Sequence, residues 1–342
     1  MIGEILARVT EGKTLDRETA REVMSAIMRG EAGDAQVACL LTALKMRGET
    51  SEEIAGFAQA MREAAVNIRP SVSPLVDTCG TGGDGSGTFN ISTAAAFIAA
   101  GAGVYVAKHG NRGVSSSCGS ADVLEALGVD IEMEPERVRA CIEEVGIGFL
   151  FAPRFHPAMR HVMRARREMG IPTAFNLLGP LTNPAGAQFQ LLGVGRRDKA
   201  PLIAHALADM RVRRALVVHG EDGLDEVSTV SPTLVWVVED GGVRETRIKP
   251  DELGLAPADP MTLRGGSAED NACIIRDEVL SGKPGPRRDI SVLNAAAALY
   301  AAGMAADLQE GISLAQESVD SGRALRKLEE MVDFSREASR VS

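Results

Sequence analysis

The stretch DTCGTGGDGSGTFNIST, running from Asp77 to Thr93, decides how the rest of the chain is read. Five of the eight residues from Gly80 to Gly87 are glycine, so backbone N–H groups can close around an anion without interference from side chains. Upstream, Leu75–Thr78 is a short strand candidate. Downstream, an alanine-rich segment from about Ser92 reads as a helix whose positive end faces the same loop. Thr88, Asn90, Ser92 and Thr93 line the exit with hydroxyls and an amide, which a purely structural glycine turn would not need. The unit reads as a strand, a phosphate-holding loop and a helix.

Gly80, Gly82 and Gly85 also satisfy GxGxxG, the dinucleotide fingerprint. Two features oppose that reading. The loop runs on to Ser92 instead of opening a helix at the third glycine, and Lys108-His109 stands where an acidic ribose-binding residue should follow the second strand. No GxxxxGK[ST] occurs, so an ordinary nucleotide loop is disfavoured as well.

Working outward, Val104–Ala107, Ile147–Phe151, Gln190–Val194, Ala215–His219 and Leu234–Val238 are further strand candidates. Between them lie a helix capped by Ser120 and ending near Gly128, and another that Pro135 opens with Val138, Cys141, Ile142 and Val145 facing inward. Strands alternating with helices predict an α/β fold with a mostly parallel central sheet covered on both faces. The first seventy residues read differently. Asp34 is a candidate cap for a helix bearing Val37, Leu40, Leu41 and Leu44, which Gly48 stops; Thr50 and Glu53 have capping-box spacing ahead of Ile54, Phe57, Ala58 and Met61. The predicted division is a helical domain over 1–70 and an α/β domain over 71–342, with the boundary at the Pro70–Pro74 linker.

Bulk properties remove other classes. At 342 residues the chain exceeds the usual single core, which again points to two domains. No segment approaches the roughly 18 apolar residues of a membrane span, and the start lacks the pattern of a secretion signal, so a cytoplasmic protein is expected. The five cysteines show no metal or disulfide spacing. A formal charge of −10 opposes nucleic-acid binding, and any anion site must rest on local positive groups.

Two more loops supply what such a site needs. Lys108-His109-Gly110-Asn111-Arg112-Gly113-Val114-Ser115-Ser116-Ser117-Cys118-Gly119-Ser120 follows the carboxyl end of a strand, where open α/β sheets bind ligands. Gly220-Glu221-Asp222-Gly223-Leu224-Asp225-Glu226 follows another, and adjacent carboxylates in a loop suit Mg²⁺. Either loop alone could be a solvated turn; opposite a glycine loop each becomes a binding element.

Taken in order, these segments resemble the anthranilate phosphoribosyltransferase family. The resemblance rests on DTCGTGGDGSGTFNIST (77–93), KHGNRGVSSSCGSADVLEALG (108–128), FAPRFHPAMRHVMRARREMGIPTAFNLLGPLTNP (151–184) and HGEDGLDEVS (219–228), and covers about residues 1–340. It implies transfer of phosphoribose from 5-phosphoribosyl 1-diphosphate to the amine of anthranilate in tryptophan biosynthesis, with two Mg²⁺ per subunit and a homodimer. It further implies a nucleoside phosphorylase/phosphoribosyltransferase-like fold in which helices from about 157–187 join the amino-terminal ones. Carried over, Gly80, Gly83, Asp84, Thr88, Asn90, Ile91, Ser92, Thr93, Lys108, His109, Gly110, Asn111, Arg112, Gly113, Val114, Ser115, Ser116 and Ser120 make the phosphoribosyl diphosphate site. Ser92, Asp225 and Glu226 are the implied metal ligands. Gly80, Asn111 and Arg166 are the implied anthranilate contacts, with His109 nearby.

The chemistry is compatible with that set. An aromatic amine is neutral and nucleophilic at pH 7, so no covalent nucleophile or general base is assigned. The demand is to stabilise a departing diphosphate and to hold two substrates in place. Arg160, Arg164, Arg166 and Arg167 fall on one predicted helix, and at about 100° per residue Arg166 and Arg167 cannot share a direction. The family pattern Arg-x-x-x-Gly, met by Arg166 and Gly170, selects Arg166. Apolar residues on more than one face of the first helices (Leu40, Leu41, Leu44, Ile54, Phe57, Met61) predict that part of this surface meets a second copy. The competing readings are a pyrimidine-nucleoside phosphorylase-like enzyme, a non-catalytic nucleic-acid-binding relative and a nicotinamide oxidoreductase.

Overall fold

A computed structural model describes residues 2–113 and 118–337. Four helices come first: α1 (Ile2–Thr10), α2 (Arg17–Met28), α3 (Asp34–Arg47) and α4 (Ser51–Glu63). The α3 cap is Gly33, whose N–H donates to Gln36 Oε1 (3.1 Å), so Asp34 is the first helical residue and not the cap. The expected capping box on α4 forms: Glu53 N–H donates to Thr50 Oγ1 and Thr50 N–H to Glu53 Oε2. The Glu53 carboxylate is fully buried, and it also accepts from Leu15 N and pairs with Arg47. Such convergence keeps a desolvated charge satisfied and staples α2, α3 and α4 together.

The second part runs β1 (Leu75–Asp77), α5 (Ile91–Gly101), β2 (Tyr105–Gly110), α6 (Ser120–Ala126), α7 (Pro135–Val145) and β3 (Ile147–Phe151). A helical excursion follows, α8 (Ala152–Phe155), α9 (Arg160–Met169) and α10 (Phe175–Leu178), then β4 (Phe189–Gly193), α11 (Ala200–Asp209), β5 (Arg214–Gly220) and the hairpin β6 (Thr233–Glu239) and β7 (Gly242–Ile248). The chain closes with α12 (Ala268–Cys273), a wider helical turn at Ile274–Val279, α13 (Pro286–Ala301), α14 (Leu308–Asp320) and α15 (Arg323–Glu337). The cap of α6 is Gly119, with Asp122 accepting its N–H, so Ser120 starts the helix and does not cap it.

The sheet order is β3-β2-β1-β4-β5-β6-β7; β1 to β5 are parallel, and β6 and β7 antiparallel. Strand β7 has no counterpart in the sequence reading, because its residues GVRETRI form an exposed edge with no apolar run. The two faces of β4–β6 separate by alternation. Leu191, Leu216, Val218, Val235 and Val237 join α5 and α13 in one core, while Leu192, Val217, Leu234, Trp236 and Val238 join α11 and the amino-terminal helices in the other. That second core also takes Val162 and Ala165 of α9 and Phe175 and Leu178 of α10. The fold is a small helical domain beside a larger α/β domain.

Leu40, Leu41, Leu44, Ile54, Phe57 and Met61 are all buried within this one chain. The expectation that these residues leave an apolar face for a second copy is therefore corrected: α1 and α2 cover part of them and α9, α10 and α11 the rest. Among the described residues, the large apolar side chains that do stay exposed on this layer are Met46, Val66, Met163 and Ile171. No described helix is long and apolar enough to cross a membrane.

Candidate functional site

In this strand order the winding direction reverses between β1 and β4, and the crevice beyond their carboxyl ends is where an open α/β sheet places its ligand. The glycine loop leaves β1 there. Gly82, Gly83, Gly85 and Gly87 take φ values of 64°, 77°, 72° and 67°, which side-chain-bearing residues rarely adopt. Thr81 N–H donates to Gly193 O (2.8 Å) and Gly195 N–H to Thr81 Oγ1 (3.2 Å), so the first half of the loop lies on the end of β4. The second half is held by a segment the sequence reading passed over. Gly265 N–H donates to Gly87 O (3.0 Å), Phe89 N–H to Leu263 O (3.1 Å) and Asn271 Nδ2 to Asn90 Oδ1 (3.0 Å). Its only sequence signal was the Gly265-Gly266 pair, needed because a Cβ at 265 would sit 2.8 Å from Phe89 Cα.

The loop feeds α5. Thr88 lies on the loop in an isolated bridge with Arg264, and Ile91 packs into the core. The Thr93 hydroxyl is buried without a hydrogen-bond partner. Ser92 behaves differently: its N–H donates to Glu226 Oε1 (3.1 Å) and its Oγ accepts from Lys108 Nζ (3.2 Å), which also donates to Thr78 Oγ1 (3.2 Å). The Lys108 ammonium is thus buried among hydroxyls, with no carboxylate among the described residues hydrogen-bonded to it.

Beyond Lys108, Gly110 is fixed by contact, since a Cβ there would fall 2.1 Å from Ser120 Oγ. Asn111 O accepts from Ala121 N (3.2 Å) and Ser120 Oγ (3.4 Å). Gly113 N–H donates to Asp122 (2.9 Å). Arg112 is turned to Asp122 (3.1 Å) and Glu125 (2.8 Å) on α6, two carboxylates that raise its pKa. Val114, Ser115 and Ser116 lie outside the described residues.

Acidic groups close the other side. Asp225 N–H donates to Asp84 Oδ2 (3.3 Å), and Gly80 lies against them, a Cβ there being 3.3 Å from Asp225 Oδ2. Gly193 and Gly195 are what let the loops meet: a Cβ at 193 would sit 1.5 Å from Asp225 O, and one at 195 would sit 2.9 Å from Asp84 N. Burial, then the charge of Asp84, raises the pKa of Asp225; burial, then Asp225, raises that of Glu226. Glu221 and Asp222 do other work, Glu221 pairing with Arg247 (2.8 Å) and Asp222 accepting from Ser228 Oγ (2.7 Å) to shape the turn. Two desolvated carboxylates, with the Asp84 carboxylate beside them and one ammonium nearby, form an electrostatically incomplete cluster, which a divalent cation would complete. Among the described residues no group of three His, Cys, Asp or Glu could hold a metal alone. Two adjacent carboxylates beside a hydroxyl suit Mg²⁺, which takes few protein ligands and fills its shell with water and substrate phosphate oxygens.

The flank of β2 carries a separate set. His109 Nδ1 donates to Gly179 O (3.1 Å), leaving Nε2 as a buried acceptor without a partner. Its ring lies 5.1 Å from that of His156, whose Nε2 is also unpartnered. Burial, reinforced by His156, pushes the pKa of His109 down to about 3, and burial pushes that of His156 down to about 4. Arg62, at the end of α4, donates to Leu181 O (2.6 Å), and burial lowers its pKa to about 10. Arg166 is half-buried with its guanidinium 5.1 Å over the Phe175 ring, no carboxylate among the described residues pairs with it, and burial lowers its pKa. Arg164 pairs with Glu168 (2.9 Å), while Arg167 is exposed. His156, Arg62 and the Gly193–Gly195 spine were not singled out from sequence, because their roles depend on neighbours more than 20 residues away.

Comparison with known proteins bears on this arrangement. The glycosyl transferase family a/b domain matches residues 72–325, and the glycosyl transferase family helical bundle domain matches residues 3–65. A Symbiobacterium thermophilum protein named anthranilate phosphoribosyltransferase is 54% identical over 330 residues, covering 96% of each chain. The chain belongs to the anthranilate phosphoribosyltransferase family. Among solved members of that family, the Thermus thermophilus structure matches with a TM-score of 0.91 at 50% identity, covering 97% of this chain and 99% of that one. The Saccharomyces cerevisiae anthranilate phosphoribosyltransferase, solved in complex with PRPP and Mg, matches with a TM-score of 0.89 at 31% identity, covering 98% of each chain. Architecture and sequence thus agree on an enzyme of this family.

Proposed function

We propose that this enzyme transfers the phosphoribosyl group of 5-phosphoribosyl 1-diphosphate to the amine of anthranilate, giving N-(5-phosphoribosyl)anthranilate and diphosphate, as a step of tryptophan biosynthesis. The observation that carries the reading is the meeting of Lys108, Ser92 and Glu226 at the start of α5, with Asp84 and Asp225 held to the glycine loop through Gly193 and Gly195. Cationic, acidic and N–H-rich elements converge at the switch point of the sheet, as binding of a metal-chelated diphosphate requires.

The glycine loop from Gly80 to Thr88, with the α5 amino end, receives the diphosphate. Lys108, already desolvated, supplies positive charge that water does not screen. Ser92, Asp225 and Glu226 hold Mg²⁺, two ions per subunit, with Asp84 beside them. When bound, the metal neutralises charge accumulating on the departing diphosphate. Arg166 takes the anthranilate carboxylate, with Asn111 and Gly80 beside the ring. His109 is neutral at pH 7 and presents an acceptor nitrogen on that flank. Residues 1–70 together with about 157–187 act as the helical domain against 71–342, so acceptor and donor are gripped from different domains. The enzyme works in the cytoplasm as a homodimer.

The deciding assay is the loss of anthranilate fluorescence when 5-phosphoribosyl 1-diphosphate is added with Mg²⁺. The reading requires that loss to stop with a chelator and to return with excess Mg²⁺. Fluorescence that stays constant over hours at micromolar enzyme would overturn it.

A further inference from the structure

Strand β1 ends early. Its ladder with β2 stops at Val76–Val106, whereas β2 continues beside β3 as far as Gly110. Further along β2 on the side of β1, the amide of His109 bonds a side chain in place of a strand. The side chain of Asp77, fully buried, takes the place of the missing ladder. Its Oδ1 accepts from His109 N (3.2 Å) and from Cys79 N (3.0 Å), so one oxygen joins the end of β2 to the start of the glycine loop. Its Oδ2 accepts from Asn183 Nδ2 (2.7 Å). Asn183 Nδ2 also donates to Ala107 O (2.8 Å), and Asn183 Oδ1 accepts from Ala185 N (2.9 Å), which anchors the chain returning from α10.

We propose that Asp77 is a positioning residue for the transfer reaction: its carboxylate fixes the spacing between the glycine loop, which takes the diphosphate, and the His109 end of β2, which lies on the acceptor flank. The inference rests on the transferase reading above. It assigns Asp77 to turnover and not to the affinity for either substrate, since each substrate can bind its own loop while only the spacing aligns them. A neutral isostere cannot do the same work. In Asp77→Asn one oxygen can still accept from Cys79 and His109, but the new NH₂ group would face the NH₂ of Asn183, donor against donor. The exchange Asp77→Asn with Asn183→Asp restores a donor–acceptor pair between the two side chains and the negative charge between Lys108 and Arg62, but sets a carboxylate oxygen against Ala107 O, acceptor to acceptor, so its recovery is partial.

The test compares wild type, Asp77→Asn and the exchanged double variant, with thermal unfolding to establish that each is folded. Asp77→Asn should lower kcat about 10- to 100-fold with both KM values within about threefold of wild type, and the double variant should recover at least about fivefold. Hydrogen exchange on the substrate-free protein should rise in both 78–84 and 107–112 in the single variant and fall back in the double. A kcat within threefold of wild type, no recovery in the double variant, or faster exchange in one segment only would overturn the proposal. A wild type inactive with anthranilate would refute the transferase reading, and the exchange data would still decide whether Asp77 ties the two segments.

Discussion

Arg166→Ala separates recognition of the acceptor from everything else the site does. The guanidinium is half-buried, stacked on Phe175, and has no carboxylate partner among the described residues, so it sits partly desolvated in the free protein. Removing it breaks no ion pair, and stability should change by at most about 1 kcal/mol, the scale of the lost cation–π contact. Binding is another matter. A guanidinium meets a carboxylate with two parallel hydrogen bonds, and truncating one partner of a desolvated pair costs roughly 2–5 kcal/mol. Partial exposure argues for the lower end, about 2 kcal/mol, or roughly 30-fold. The KM for anthranilate should rise at least about tenfold, with the KM for 5-phosphoribosyl 1-diphosphate nearly unchanged. Arg167→Ala, at an exposed position one residue on, is the control and should be silent. Steady-state kinetics with each substrate varied in turn checks this. If both variants behave alike, or if Arg166→Ala weakens only the phosphorylated substrate, the assignment to the acceptor carboxylate is wrong.

Asp225→Asn with Glu226→Gln should lower turnover by at least about 100-fold at millimolar Mg²⁺. It should also raise the metal-free melting temperature above pH 7, because burial and mutual repulsion already disfavour both charges; a lower melting temperature would contradict the electrostatics. Gly193→Ala places a methyl group on the Asp225 backbone carbonyl, an overlap no rotamer relieves, and should cost about 3 kcal/mol in denaturant unfolding together with activity; a wild-type curve would refute the close approach. His156 has its pKa lowered from 6.5 to about 4, so the unfolded chain binds a proton there that the folded protein does not, and its share of stability is present above about pH 6.5 and lost as pH falls towards 4. The stability difference between wild type and His156→Asn should therefore shrink by about 1.2 kcal/mol between pH 6 and 5, with the raised groups Asp77, Asp225 and Glu226 cancelling in the comparison. A constant difference would show that the imidazole takes up its proton in the folded state.

Local physics made much of this protein legible. Glycine at 80, 82, 83, 85 and 87 has few explanations other than a backbone wrapped around an anion, and a strand before it with a helix after it names the α/β unit. The Thr50–Glu53 box and Pro135 gave helix starts by chemistry confined to one turn. Where a cap was misread, at Asp34 and Ser120, the backbone of the preceding glycine had taken the position instead. Adjacent carboxylates at 225 and 226 suggest a cation site for the same local reason, and the fold brings them to Ser92 and Asp84. The apolar count on α3 and α4 was legible too, but not what covers it. That role is shared between α1 and α2 and the later helices from 160–178 and 200–209, so a surface that looks free in sequence is interior in the fold. Arg112, one of the two cations in its loop, turns to Glu125, thirteen residues on. Asp77 and Gly193 give the clearest case. Each is a single ordinary residue at the end of a strand, and its importance lies in what arrives beside it: His109 and Asn183 at one, Asp225 at the other. Periodicity and composition report on neighbours along the chain, whereas hydrogen bonds across a sheet edge and van der Waals limits between two loops exist only once the strands are in register.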